Sequence, residues 1–183
     1  MLVIAVAVLV AIAVALTVPG ARGAILRVFH LGGVRVARVK TLPSAPSSPL
    51  DASLGPVVGR ERAAAALRRP PSVLPAGALH LEDGVVSVVL PGGLLFSELR
   101  TGPIPVLQKE LGSSASRVTW FALNGQPAIW ITGARHVVRF PHAPARLAGN
   151  VLVWQSGPIT FRLEGRRLTR AHALELAPRL AGT

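Results

Sequence analysis

Eight carboxylates are available for acid–base catalysis in this chain of 183 residues. Glu82 and Asp83 are adjacent, but Gly84 follows them directly, which is typical of a hairpin turn. Glu164 ends an apolar stretch beside Arg166, where a structural ion pair or a cap is expected. Nothing in the spacing brings two carboxylates together as glycoside hydrolysis requires, so no catalytic residue is predicted. The remaining acids are scattered: Asp51, Glu61, Glu98, Glu110 and Glu175.

Histidine and cysteine usage gives no pattern for metal binding or nucleophilic catalysis. The absence of cysteine excludes disulfides, thiolate metal sites and a cysteine nucleophile. The five histidines form no His-x-His or His-x-x-x-His pair, and His136 and His142 are separated by a proline-containing turn. A phosphate-binding glycine loop and a Gly-x-Ser-x-Gly elbow are also missing. The sequence therefore predicts no enzyme, no metal and no cofactor, with a secreted enzyme as an alternative.

The chain carries 20 basic and 8 acidic side chains, for a net charge of +12. Nucleic-acid binding would require these charges on one recognition surface. They form two short clusters instead, and no helix-turn-helix, zinc or ribonucleoprotein motif accompanies them. The pattern disfavours nucleic acid and favours anionic lipid or envelope polymer. A cytoplasm-facing protein that binds nucleic acid or anionic lipid is the alternative. The clusters are Arg60, Arg62, Arg68 and Arg69, and then Arg166, Arg167 and Arg170.

An unbroken apolar run extends from Leu2 to Val18. A helix of about 20 residues crosses a hydrocarbon core of about 30 Å. The run has no polar face, which disfavours a buried core helix. A cleaved signal peptide is a further alternative, but no basic residue precedes the run and residues 21–23 do not match a small-x-small cleavage site. Residues 1–21 are therefore predicted to be a single membrane anchor.

Residues 22–56 are predicted to link the anchor to a folded domain. The first part is basic with no acid before Asp51, and the second part is a spacer rich in proline and serine. The positive-inside rule would place such a basic segment in the cytoplasm, against anionic lipid. The residues expected at the lipid surface are Arg22, Arg27, Arg35, Arg38 and Lys40.

Residues 57–183 are predicted to form one α+β domain, a curved antiparallel β-meander with helices packed on one face. Helices are expected over 60–69, after Thr169, and, more briefly, over Pro103–Leu111. Ala24–His30 is expected to be a short amphipathic continuation of the anchor. Asn124-Gly125 is a strong hairpin signal. Strands are expected over 34–39, 78–81, 85–90, 94–100, 117–123, 128–132, 136–140, 151–154 and 159–163.

Aromatic residues inside the predicted strands are expected to anchor the core. The alternative is that some of them line a hydrophobic concavity of the curved sheet, which would be a contact surface for a protein or a lipid-like ligand. Trp130 and Trp154 are the residues predicted to form that surface.

Four stretches of the second half carry a family resemblance. They read LNGQPAIWI over 123–131, RLAGNVLVW over 146–154, ITFRLEG over 159–165 and ALELA over 173–177. Together with Gly33–Val36 and the spacer, they resemble an uncharacterised family of actinobacterial single-pass membrane proteins. The resemblance covers nearly the whole chain.

The resemblance implies an extracytoplasmic domain of a regulator or sensor kind, similar to lipoprotein-sorting domains and associated with anti-sigma factors. It implies no catalytic residues. The family's orientation, with the domain outside the cytoplasm, is opposite to the orientation that the positive-inside rule gives. We favour the orientation of the family. The expected function is that of a non-enzymatic, single-pass protein of the cell membrane. Its extracytoplasmic domain would bind an envelope or signalling protein, in a pathway linked to sigma factors.

Overall fold

The computed structural model describes residues 25–39, 42, 44–45, 49, 53–72, 77–102, 107–112, 116–133, 136–139 and 145–182. Within these residues the fold is α+β, with mostly antiparallel strands and two helices. The predicted class is therefore confirmed. None of the described helices is long and apolar enough to cross a membrane. The predicted anchor, Leu2–Val18, lies outside the described residues.

The larger sheet has eight strands, and every neighbouring pair in it is antiparallel. Hairpins connect most neighbours, as the turn signals predicted. In spatial order the strands are β3 (Val57–Val58), β4 (Leu79–Glu82), β5 (Val85–Leu90), β6 (Leu94–Arg100), β13 (Ile159–Gly165), β12 (Asn150–Ser156), β9 (Gln126–Gly133) and β8 (Ser116–Leu123).

A second sheet of five strands accompanies the first. Its β2 and β7 strands run parallel, whereas its other pairs are antiparallel. Two of its strands come from the segment that the sequence placed between anchor and domain. In spatial order the strands are β1 (Ile25–Leu31), β2 (Val34–Val39), β7 (Leu107–Gly112), β10 (His136–Arg139) and β11 (Arg146–Ala148).

Two helices pack on the larger sheet. Helix α1 spans Arg60–Leu67 and ends where Arg68 adopts a left-handed conformation, just before two prolines. Helix α2 spans Arg170–Ala181, and the Thr169 hydroxyl caps it by accepting a hydrogen bond from the His172 N–H. The sequence predicted both helices and this cap.

The larger sheet is the middle of three layers. Its first face packs against α1 and α2 in a cluster that includes Phe96, Trp154 and Phe161. Its second face packs against the five-stranded sheet, in a cluster that includes Val153, Val36 and Val138. Because both faces are covered, buried side chains alternate between two cores along β12 and β13.

Two local predictions and one architectural prediction were wrong. Pro103–Leu111 was expected to be helical, yet Leu107–Gly112 is strand β7. Ala24–His30 was expected to continue a helix, yet Ile25–Leu31 is strand β1. Leu107 and Leu111 are four positions apart, as are Ile25 and Phe29. This spacing places two residues on one face of a strand as well as of a helix, so it does not distinguish the two. The single meander is in fact two sheets, because β7 pairs with β2 across a long stretch of sequence.

Two hairpin turns fit the predicted signals. Asp83-Gly84 and Asn124-Gly125 both have positive φ at each position, with values of 49° and 77° in the first and 51° and 75° in the second. This is the backbone of a type I′ turn, which asparagine, aspartate and glycine tolerate best. The turns place β5 against β4 and β9 against β8.

Candidate functional site

A cluster of three charged side chains lies buried between the two sheets. Arg146 donates from Nη1 to Glu164 Oε1 at 2.7 Å and from Nη2 to Oε2 at 3.1 Å. Arg162 Nη2 forms an ion pair with Oε2 of the same carboxylate. Each of the three residues is at most 1% exposed. The ion pair expected at Glu164 is confirmed, but its partners are Arg146 and Arg162.

Strand alternation and sheet packing bring these groups together. Arg162 and Glu164 are two positions apart on β13, so both project from the same face of the larger sheet. Arg146 lies on β11 of the second sheet and meets them across the interface. Ser53 Oγ accepts from Arg146 Nε at 3.1 Å, and the Gly149 N–H donates to Glu164 Oε1 at 3.0 Å. The carboxylate is thus held by contacts from both layers.

The electrostatics of this cluster follow from burial. Burial lowers the pKa of Arg146 to about 10. Burial, and then the positive charge of Arg146, lower the pKa of Arg162 well below its usual value. Nε and Nη1 of Arg162 have no hydrogen-bond partner among the described residues. Two guanidinium groups share one carboxylate, so Glu164 is the residue that compensates their buried positive charge.

Two of the four stretches that carry the family resemblance meet at this cluster. A Cβ on Gly149 would lie 2.5 Å from the Gly165 carbonyl carbon, so the strands approach closely only without side chains there. Asn150 Nδ2 donates to the Leu168 carbonyl oxygen at 2.9 Å, and Thr132 Oγ1 donates to Asn150 Oδ1 at 3.0 Å. The RLAGN and RLEG stretches therefore hold β11, β12 and β13 in place.

A second buried carboxylate is also held inside the fold. Glu98 is 2% exposed and lies on β6. Its oxygens accept from the Ser72 N–H at 2.9 Å and from the Ser72 hydroxyl at 3.0 Å. Glu98 thereby fastens the segment that follows α1 to the sheet.

Trp130 and Trp154, the predicted contact surface, lie in the core beneath the helices. They are 6% and 3% exposed. The Trp154 ring stacks on Phe161 with centroids 5.3 Å apart and lies 6.3 Å from Phe96. The helices cover the face on which the hypothesised concavity would lie. A contact role for these two residues remains a hypothesis, and their packing favours the core role.

One small cavity is lined in part by Trp154. Its volume is about 110 Å³, and it lies where the β8–β9 and β12–β13 hairpins approach the end of α2. This is room for a few water molecules, well below the few hundred Å³ of a typical ligand pocket. The lining residues are Leu123, Asn124, Gln126, Trp154, Gln155, Ser156, Pro178 and Ala181.

His136 and His80 make separate local contacts. His136 is buried on β10, and its Nδ1 lies 3.2 Å from the Gly149 carbonyl oxygen. His80 Nδ1 lies 3.0 Å from the Gly55 carbonyl oxygen. No group of three or more His, Asp or Glu side chains that could hold a metal occurs in the described part of the chain.

The basic residues expected at a lipid surface are distributed over several settings. Arg22 and Lys40 lie outside the described residues, and Arg27 belongs to β1. Arg35 and Arg38 are half-buried on β2. The Arg38 side chain donates from Nη2 to the Ser116 carbonyl oxygen at 3.3 Å, which fastens the second sheet to the start of β8.

Sequence reasoning missed Arg146 and Arg162 as interior residues. Arginine is rarely buried without a partner, so the default assignment is to the surface. The sequence carried no signal against this assignment, because Arg162 stands between Phe161 and Leu163 and such alternation predicts a solvent-facing side chain. The contact with Arg146 could not be read from the sequence, because it depends on the second sheet.

Comparisons with protein-family models, with curated proteins and with solved structures found no match to this chain. The family resemblance therefore stays a prediction. Any functional proposal depends on the residues and their geometry.

Proposed function

We propose that this chain is a non-enzymatic, membrane-anchored protein whose folded domain binds an envelope or signalling partner outside the cytoplasm, in a pathway linked to sigma factors. The observation that carries the proposal is the apolar run Leu2–Val18, which has the length and composition of a membrane-spanning helix. The first described strand, Ile25–Leu31, follows it after a short connection. Such an arrangement would hold the domain near the membrane.

The contacts of the buried carboxylates support the non-enzymatic part of the proposal over acid–base catalysis by these groups. Glu98 and Glu164 are both buried, and both make contacts that hold structural elements together. General acid–base catalysis requires such groups to face substrate. Here their oxygens accept from Ser72, Arg146 and the Gly149 backbone.

The anchor is tested by fractionation of cells that express the full chain. We expect the protein to stay in the membrane pellet after an alkaline carbonate wash. Such a wash releases proteins that are bound only at the membrane surface, whereas a helix of about 17 apolar residues stays in the bilayer. A variant with Leu9→Arg and Val14→Arg should move to the soluble fraction, because central charges disfavour insertion. Release of the unaltered chain by carbonate would contradict the anchor.

A further inference from the structure

The two sheets share a common end, which we call the entry end because β1 begins there. Ile25 pairs with Val39, and Val39 pairs with Gly112, at one end of the five-stranded sheet. The Arg38 contact to the Ser116 carbonyl and the His136 contact to the Gly149 carbonyl fasten that end to the start of β8 and β12. The end of β13 lies there too, because Gly165 pairs with Asn150.

The opposite end is identified in the same way and is called the far end. Gly32, in the β1–β2 turn, lies directly against Thr160 at the start of β13. Arg100 at the end of β6 pairs with Ile159. Helix α2 finishes at this end, where Ala181 lines the small cavity with Ser156 and Gln126.

The exposed charge of the entry end is strongly basic. Arg117, Arg166 and Arg167 are all exposed there, and Arg170 begins α2 beside them. In the described ranges 116–117, 133, 149–150 and 164–170, which lie at this end, the one acid is Glu164, which is buried. Two further acids lie near this end: Glu61, exposed between Arg60 and Arg62 at the start of α1, and Glu110 on β7. By contrast, Glu82 ends β4 and Asp83 lies in the β4–β5 turn, both at the far end.

We propose that the entry end docks on an anionic lipid surface through Arg117, Arg166 and Arg167. The inference rests on the proposed membrane anchor. Val18 precedes Ile25 by seven positions, which an extended chain spans in about 25 Å at most. A connection of this length lets the basic end reach the headgroups, and attraction to anionic lipid would favour this end over the far end with its acids.

Electrostatics sets the expected strength of this docking. Each basic residue near an anionic surface favours the docked state by about fivefold, and the effect falls off within a Debye length of about 10 Å. Three arginines together favour docking about 100-fold. Arg170 is left out of this set because its guanidinium already lies over the Phe121 ring, 4.6 Å from the centroid.

The chain has no cysteine, so single probes can be placed by one substitution. Ala171→Cys puts a fluorophore on exposed backbone near the entry end, and Ala122→Cys puts one on an exposed position toward the far end of β8. The labelled full chain is reconstituted in vesicles of phosphatidylcholine, or of an equal mixture with phosphatidylglycerol. Flotation of the vesicles on a density gradient shows whether the chain is incorporated. Quenching by a headgroup-labelled lipid reports which end lies near the surface.

We expect the probe at 171 to be quenched more than the probe at 122, only in the anionic vesicles and only at low salt. The variant R117Q/R166Q/R167Q should abolish this difference. The matched variant R100Q/R139Q/R179Q removes three exposed charges at the far end and should keep it. Circular dichroism of both variants checks that they fold.

Three outcomes would overturn the inference, and they separate it from the proposed function. If the chain floats with both vesicles but the two probes do not differ, the anchor stands and docking is wrong. If both triple variants abolish the difference equally, net charge and not the entry end is responsible. If the chain floats with neither vesicle, the anchor itself fails, and the inference fails with it.

Discussion

Glu164 is the residue that compensates the buried positive charges of Arg146 and Arg162. It accepts from Arg146 through both oxygens and pairs with Arg162, and none of these side chains reaches solvent. Removal of one partner of a buried ion pair leaves an uncompensated charge, which is costlier than loss of the pair as a whole.

We therefore expect Glu164→Gln to lower the free energy of unfolding by about 3–5 kcal/mol. Urea unfolding of the full chain in detergent, followed by tryptophan fluorescence, measures this. Glu175→Gln is the control, because it breaks the exposed pair with Arg179 and should have little effect. The triple variant R146M/R162M/E164L should recover much of the loss. Equal effects of Glu164→Gln and Glu175→Gln would refute the charge-balance role.

The three tryptophans separate packing from binding. Trp154 is buried against Phe96 and Phe161, whereas Trp120 on β8 is 44% exposed. Trp154→Ala should cost about 3–5 kcal/mol of stability, and Trp120→Ala far less. A Trp154→Ala variant that keeps its melting temperature but loses a partner in a pull-down would instead support the contact hypothesis.

At the scale of elements, one side-chain atom caps the N-terminus of α2. The Thr169 hydroxyl oxygen accepts from the His172 N–H at 3.2 Å. Thr169→Ala should cost about 1 kcal/mol and Thr169→Ser should cost little, because serine keeps the acceptor. Thermal unfolding of the two variants measures the difference. Equal melting temperatures would show that the cap contributes nothing.

Prediction from sequence succeeded where the signal was local. The β5–β6 and β12–β13 hairpins, α1 and the capped α2 were read from alternation, turn residues and capping chemistry. It failed for β1 and β7, whose strand character depends on pairing with β2. It also missed the contact of Arg146 with Glu164, because this contact exists only after the second sheet has packed on the first.

At the scale of the whole molecule, three layers enclose two cores, and the buried charges described are the Arg146–Arg162–Glu164 cluster and Glu98. The larger sheet is covered by helices on one face and by the smaller sheet on the other. A partner would therefore meet helix surfaces, strand edges or the ends of the sandwich. We therefore expect binding at the outer surfaces. The tryptophans of the helix-side core are expected to serve packing.

The most direct test of the account is the protease sensitivity of a C-terminal tag on the full chain, in cells stripped of their wall. We expect the tag to be digested in intact cells, with a cytoplasmic protein protected in the same sample. Digestion would agree with a domain held outside the cytoplasm by its anchor. Protection of the tag until the cells are lysed would contradict that orientation, and a cytoplasmic domain that binds nucleic acid or the inner lipid leaflet would then be the better account.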